Sequence, residues 1–134
     1  MNIFKEEHHI NIRFLGIKIK FKNPFVDQLE DCCYIHNLKD LNRKGTVFPH
    51  PIGIVIAKDA QIGKDCVIYQ NVTIGKKHGK TKEKAPLIGD NVTIYANSII
   101  IGEIKIGNNV IIGANCVVNT DIPIIGLLLE TLQV

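Results

Sequence analysis

The sequence contains no tryptophan and a single serine, Ser98, and aromatic residues make up only 6% of its 134 positions. A serine hydrolase needs an accessible nucleophile, and the repeat described below predicts that Ser98 points inward. No apolar stretch reaches the roughly 18 residues that span a bilayer, and the charges within residues 1–9 do not fit a signal peptide. The composition therefore favours neither a serine hydrolase nor a protein with a membrane span.

Cysteine and histidine are present, but not at the spacings of metal ligands. Cys66 and Cys116 fall at predicted inward positions, where a thiol behaves as a small hydrophobic group. Cys32 and Cys33 are adjacent and cannot easily pair with each other. We therefore expect no metal site and a reduced, cytoplasmic protein. The mild net charge of +3, without a long basic run, does not indicate a nucleic-acid partner.

The dominant feature of the sequence is an aliphatic residue at every sixth position. This first column contains Ile56, Ile62, Ile68, Ile74, Ile88, Ile94, Ile100, Ile106, Ile112 and Val118. A second column, four places on, contains Ala60, Cys66, Val72, Val92, Ser98, Ile104, Val110, Cys116 and Ile122. A period of six fits neither a helix nor a pleated strand. It is typical of short strands joined by tight bends, three to an 18-residue coil, and predicts an all-β solenoid, a parallel β-helix.

The repeat divides the chain into a prelude, residues 1–45, and a β-helix domain, residues 46–134. In the prelude, residues 17–22 alternate strictly and predict a strand, and Pro24 predicts the start of a short helix that runs to about Cys33. The prelude is therefore expected to be a small α/β unit. The tail after Pro123 is atypical, because its apolar residues are out of phase with the repeat.

One interruption of the repeat, at residues 76–87, predicts a loop that leaves the solenoid. It carries five lysines against one glutamate, namely Lys76, Lys77, Lys80, Lys82, Glu83 and Lys84. One interpretation is a solvated excursion without further function. The other is a binding loop, since this charge would attract a polyanionic ligand such as a nucleotide phosphate.

His50 is the best candidate for a catalytic side chain. It lies six residues before Ile56, in phase with the inward column but polar where an aliphatic residue is expected. A histidine in such a column is usually structural. Pro49 and Pro51 flank His50 and Gly53 follows, however, which indicates an unusual backbone at this point. A neutral imidazole can accept a hydroxyl proton at physiological pH, so His50 is a candidate general base.

These features together resemble the hexapeptide-repeat acyltransferases, and most of all the serine O-acetyltransferases. The resemblance rests on residues 50–56, on the repeats at 60–63 and 72–75, and on the lysine loop with Pro86 and Ile88 behind it. It implies a left-handed parallel β-helix that works as a homotrimer, with acetyl-CoA as co-substrate between subunits and no tightly bound cofactor. His50 would be the base that activates an acceptor hydroxyl for direct attack on the thioester.

The resemblance also implies roles for other residues. Gly75 and Lys76 lie where the family stabilises the oxyanion, and Ala96 and Ala114, one coil apart, lie where it binds the pantetheine arm. Pro49, Lys84 and Ala85 occupy acceptor-pocket positions, but none is the residue that the serine enzymes carry there, and the carboxylate that orients the histidine has no clear counterpart. The acceptor is therefore serine or a sugar hydroxyl of a surface glycan precursor. The alternative is a catalytically idle trimeric β-helix that acts as a scaffold or regulatory protein.

Overall fold

The computed structural model describes residues 2–6, 9–14, 17–22, 32–77, 83–123 and 127–128. Its first three strands, β1 (Asn2–Glu6), β2 (His9–Phe14) and β3 (Ile17–Lys22), form an antiparallel sheet in that order. The strand predicted over residues 17–22 is thus confirmed. The helix predicted from Pro24 falls outside the described residues, except for its last two positions.

The repeat region is built from very short strands. A two-residue strand, β4 (Tyr34–Ile35), precedes the helix α1 (Leu38–Arg43). The strands that follow are β5 (Val55–Ile56), β6 (Gln61–Ile62), β7 (Val67–Ile68), β8 (Thr73–Gly75), β9 (Leu87–Ile88), β10 (Thr93–Ile94), β11 (Ile99–Ile101), β12 (Lys105–Ile106), β13 (Ile111–Ile112), β14 (Val117–Val118) and β15 (Leu127–Leu128). Within the described residues, no helix has the length and hydrophobicity that a membrane crossing needs.

The short strands stack into three parallel sheets, which are the faces of a triangular prism. Face 1 contains β4, β5, β8, β11 and β14, face 2 contains β6, β9 and β12, and face 3 contains β7, β10, β13 and β15. The chain passes through the faces in that order. The corner between faces 1 and 2 is called the 1–2 corner, and the other two are the 2–3 and 3–1 corners. Thr93 pairs with Ile111 and Ile99 with Val117, so partners on neighbouring coils are 18 residues apart. This is the parallel β-helix that the repeat predicts.

Both columns of the repeat form the interior of the prism. Every residue of the first column is at most 5% exposed and every residue of the second at most 8%. Ile54 and Pro86, which the repeat does not single out, are also buried and extend the second column. Ser98 Oγ donates to the Gly113 carbonyl at 2.7 Å, and burial raises the pKa of the Cys66 thiol. These two side chains are therefore structural, as their positions predict.

At two of the three corners, a residue other than glycine has a positive φ. The positive φ values lie between 54° and 63° and belong to Asp65, Asn91 and Asn109 at the 2–3 corner and to Asn71, Asn97 and Asn115 at the 3–1 corner. Asparagine and aspartate enter this region more readily than other residues with a side chain. Asn91 Nδ2 also donates to Asn109 Oδ1 on the next coil at 2.8 Å. The corners are therefore specified by residue type as well as by the buried columns.

The first coil begins before residue 45. Tyr34 pairs with Val55 in parallel, so β4 already belongs to face 1. The helix α1, which the sequence analysis does not predict, follows β4 and buries Leu41 in the hydrophobic core. Parallel stacking thus extends to the N-terminal side of residue 45. The division of the chain at that residue stays a prediction.

The tail continues the solenoid in a shortened coil. Ile122 bridges to Ile106, and Leu127 pairs with Ile111, so partners here are 16 residues apart rather than 18. Two residues are missing from this coil relative to the one before it. That deletion is the reason that the apolar residues of the tail are out of phase with the repeat.

The left-handed corners lead to a stability prediction at Asn115. We expect Asn115→Val to lower the free energy of unfolding by about 1–2 kcal/mol, because a β-branched residue is strained at positive φ. Asn115→Gly should keep the stability of the wild type. Asn119→Val is the matched control, since Asn119 is exposed and has no positive φ. Urea unfolding of all three variants at one protein concentration measures the effect, and equal losses for both valine variants would contradict it.

Candidate active site

His50 lies at the 3–1 corner, between the bridge at Val47 and β5. The phase of the repeat predicts an inward position for His50, and this is wrong, because the side chain is exposed. Phe48 and Ile54 take the inward positions on either side of the corner, at 8% and 0% exposure. His50 therefore has no role in the core, and the structural interpretation of this histidine does not apply.

The register of the strands explains why His50 leaves the column. Val47 bridges to Val67 across 20 residues, whereas Val55 pairs with Thr73 across 18. The corner between these pairs thus contains two more residues than the same corner on the next coil. The additional residues displace His50 from the inward phase that counting back from Ile56 predicts.

Backbone hydrogen bonds hold this longer corner in place. The N–H of Ile52 donates to the His50 carbonyl at 2.8 Å, and the N–H of Asn71 donates to the Ile52 carbonyl at 2.9 Å. Gly53 has a φ of +64°, and a Cβ there would collide with Asn71 Oδ1. Glycine takes this conformation without strain, and its N–H donates to the Cys32 carbonyl at 2.9 Å. The base candidate therefore stands on a corner with a defined backbone.

Two tyrosine rings lie next to the His50 imidazole along the prism axis, one on each of the next two coils. The ring centroids of His50 and Tyr69 are 6.2 Å apart and their planes are inclined by 49°. Tyr69 stacks on Tyr95 at 5.0 Å with an angle of 17°. The sequence analysis missed this pair, although both tyrosines directly follow an inward isoleucine of face 3, which is the signal that predicts their stacking.

A row of three equivalent positions lies at the same corner, and alanine occupies two of them. The N–H of Asn97 donates to the Gln70 carbonyl at 3.1 Å, and the N–H of Asn115 donates to the Ala96 carbonyl at 2.9 Å. Gln70, Ala96 and Ala114 therefore occupy equivalent positions on three successive coils. The two alanines stack along the prism axis as their spacing predicts, and the row begins one coil above His50.

The lysine loop leaves from another corner. It starts after β8 and returns at β9, so it lies at the 1–2 corner, with residues 78–82 outside the described part. Lys76 Nζ lies 2.6 Å from Asp59 Oδ2, and Lys84 Nζ lies 3.9 Å from Glu103 Oε1. The hydrogen bond from Lys76 holds the pKa of Asp59 below its ordinary value. At each end of the loop, one lysine is thus already paired with an acid.

The candidate site residues fall into two groups within one chain. Pro49, Ala96 and Ala114 share the 3–1 corner with His50. Gly75, Lys76, Lys84 and Ala85 lie at the 1–2 corner. Gly75 has open space where a Cβ would stand, and Ala85 is buried at 2% exposure. Because the strands of face 1 run between the two corners, one chain does not bring both groups together.

Gln70 gives a second stability prediction. Its Oε1 atom is buried and accepts no hydrogen bond from any described residue, and an unsatisfied buried acceptor is destabilising. We expect Gln70→Met to raise the free energy of unfolding by about 1 kcal/mol. The control is Gln61→Met on the exposed side of β6, and thermal unfolding measures both. A loss of stability only at position 70 would show that the folded protein supplies a donor, for example from a second copy.

The chain matches known proteins over its repeat region. A family model described as bacterial transferase hexapeptide (six repeats) matches residues 85–120. A serine acetyltransferase from Staphylococcus epidermidis is 47% identical over 74 residues, which are 55% of this chain and 35% of that protein. The chain spans about a third of the length of the curated relatives it matches.

Solved structures agree with these matches. The serine acetyltransferase of Neisseria gonorrhoeae in complex with serine has a TM-score of 0.55 and 37% identity, covering 64% of this chain and 36% of that one. A serine acetyltransferase in complex with CoA has a TM-score of 0.52 and 36% identity, covering 58% and 31%. The repeats, the three parallel faces and these similarities together show that the fold is a left-handed parallel β-helix of hexapeptide repeats, similar over this region to the serine acetyltransferases.

Proposed function

We propose that the protein is an acetyl-CoA-dependent O-acetyltransferase in which His50 is the general base. The imidazole takes the proton of an acceptor hydroxyl while the hydroxyl oxygen attacks the thioester carbon. The tetrahedral intermediate then expels the CoA thiolate, which recovers the proton from the imidazolium. The acetyl group ends as an ester on the acceptor, without an acyl-enzyme. The observation that carries the proposal is the exposure of His50 at the same corner as Ala96 and Ala114, two coils below Ala96.

Acetyl-CoA fits the 3–1 corner as the acyl donor. Ala96 and Ala114 leave the backbone accessible to an elongated ligand over two coils, and Gln70 occupies the equivalent position on the coil between them and His50. A related serine acetyltransferase has been solved in complex with CoA. An acyl-serine route has no support in this chain, because Ser98, the only serine, is fully buried and hydrogen-bonded.

A second copy of the chain would complete the site. The oxyanion donors we assign, at Gly75 and Lys76, lie across face 1 from His50 in one chain, so a neighbouring subunit is the better source of the loop. Face 1 also exposes the apolar side chains of Tyr34, Val55, Ile99 and Val117, which lie in one register row with Thr73 between Val55 and Ile99. Exposed apolar rows of this kind are suited to subunit contacts. Both observations support a homotrimer with acetyl-CoA between subunits.

The acceptor is serine or a sugar hydroxyl of a surface glycan precursor. A structural relative has been solved with serine, which supports the amino acid. Pro49, Lys84 and Ala85 present no carboxylate or arginine for its charged groups, and Lys84 already lies near Glu103. These features support the sugar. Free-CoA release with L-serine against a panel of amino sugars and nucleotide sugars tests the two acceptors.

The general-base role predicts a large effect of His50→Ala. Turnover should fall by roughly 10²–10⁴, because proton transfer in the transition state is lost, while the oligomer stays intact. CoA release gives the rate and analytical ultracentrifugation gives the assembly. His36→Ala is the matched control, since His36 is also exposed and contacts an aromatic ring, Tyr34. A wild-type rate in His50→Ala would contradict the mechanism, and a wild type that neither turns over nor binds acetyl-CoA would favour the scaffold.

The lysine loop predicts a salt-dependent affinity for acetyl-CoA. Replacing its five lysines by glutamine should raise the KM for acetyl-CoA about tenfold at low salt, because less positive charge attracts the phosphates. The effect should shrink at high ionic strength, where exposed charges are screened. Lys64→Gln with Lys105→Gln is the control, as both lysines are exposed outside the loop. If the KM for acetyl-CoA changes neither with the substitutions nor with the salt concentration, the loop has no part in binding.

A further inference from the structure

We propose that Tyr69, supported by Tyr95, is the positioning residue that holds the His50 imidazole in its reactive orientation. This inference rests on the proposed role of His50 as general base. It assigns to a ring contact the task that an acidic partner commonly performs for a catalytic histidine.

The His50 imidazole has one described neighbour that can orient it. Among the described residues, neither ring nitrogen of His50 makes a hydrogen bond or an ion pair. Its one ring contact there is Tyr69, at a centroid distance of 6.2 Å and an inclination of 49°. An exposed side chain with no other partner would sample several rotamers. Tyr69 closes one side of the imidazole and thereby restricts that choice.

The Tyr69 ring is itself held rigidly. The tyrosine follows β7 directly, and its N–H donates to the Ile94 carbonyl at 3.0 Å. Tyr95 follows β10 in the same way and donates to the Ile112 carbonyl at 2.9 Å. Neighbouring parallel strands lie about 4.8 Å apart, which is close to the 5.0 Å between the two rings. The coil repeat therefore enforces the stack and fixes the orientation of the Tyr69 ring beside the imidazole.

The ring contact has a chemical consequence. A ring contact orients the imidazole without occupying either nitrogen, so both stay available for proton transfer. One nitrogen can accept the proton of the acceptor hydroxyl, while the other exchanges protons with water. Only the aromatic face of Tyr69 is used in this arrangement. Its hydroxyl group has no function in positioning, and this separates the proposal from one based on a hydrogen bond.

Three variants test the proposal through kinetics. Tyr69→Phe should keep the wild-type rate, because the ring remains. Tyr69→Leu keeps an apolar side chain but removes the ring, and should lower kcat by up to roughly 10²-fold, the cost of a misplaced catalytic group, with the KM for acetyl-CoA unchanged. Tyr95→Leu should give a smaller loss in kcat, since it removes only the support. Equal kcat values in Tyr69→Leu and Tyr69→Phe would overturn the proposal.

A spectroscopic measurement separates this inference from the proposed function. The imidazole proton resonances of His50 are identified by their absence in His50→Ala. In the wild type the ring current of Tyr69 should displace them, and Tyr69→Leu should return them toward the position of an unstructured histidine, with amide signals elsewhere unchanged. Unmoved His50 resonances would overturn the inference even if His50→Ala is inactive. If the wild type proves to have no acetyltransferase activity, the proposed function and the catalytic part of this inference both fail. The ring contact itself would still be supported if Tyr69→Leu shifts the His50 resonances.

Discussion

The in-register stacking of inward aliphatic side chains from coil to coil is the interaction on which the rest of this structure depends. Each strand is only two or three residues long and could not persist alone. Stacking buries every strand's inward residue against the one above and below, and dispersion and the hydrophobic effect act along the whole column. Because the coils are held in register, any residue type that recurs at one repeat position is aligned along the prism. Functional groups are arranged in columns for the same reason.

The 3–1 corner shows how such alignment produces a candidate site. Small residues at one repeat position leave a continuous row over Ala96 and Ala114, and aromatic residues at the preceding position form the Tyr69–Tyr95 stack. Below both, the coil carries two additional residues, and these bring His50 out of the core beside the first ring. A regular repeat would have buried this position. The catalytic candidate is thus accessible because the repeat is broken there, while the unbroken coils above provide its surroundings.

The distribution of the other candidate residues follows from the triangular cross-section. A prism with three faces has corners that cannot approach one another, so groups placed at the 1–2 and 3–1 corners of one chain remain separated by face 1. One lysine at each described end of the loop is also occupied, with Lys76 on Asp59 and Lys84 near Glu103. Assembly of copies through the exposed apolar row of face 1 would bring the two kinds of corner together. In such an assembly, the contact between copies would also complete the candidate site.

The sequence by itself determined the parallel β-helix, the burial of both columns, the structural role of Ser98 and the stacking of Ala96 on Ala114, whereas the structure moves Ile122 from the second column to the first, opposite Ile106. All of the features that the sequence determined depend on the six-residue period. The period can be read from the sequence because each short strand contributes an inward residue at the same interval. Only the tertiary structure decided that His50 is exposed, that Tyr69 contacts it, and that the tail forms a shortened coil with β15. The physical reason is that a corner can gain or lose two residues without disturbing the strands on either side. Counting along the chain cannot locate such a change, whereas the pairing of Val47 with Val67 and of Val55 with Thr73 shows it directly.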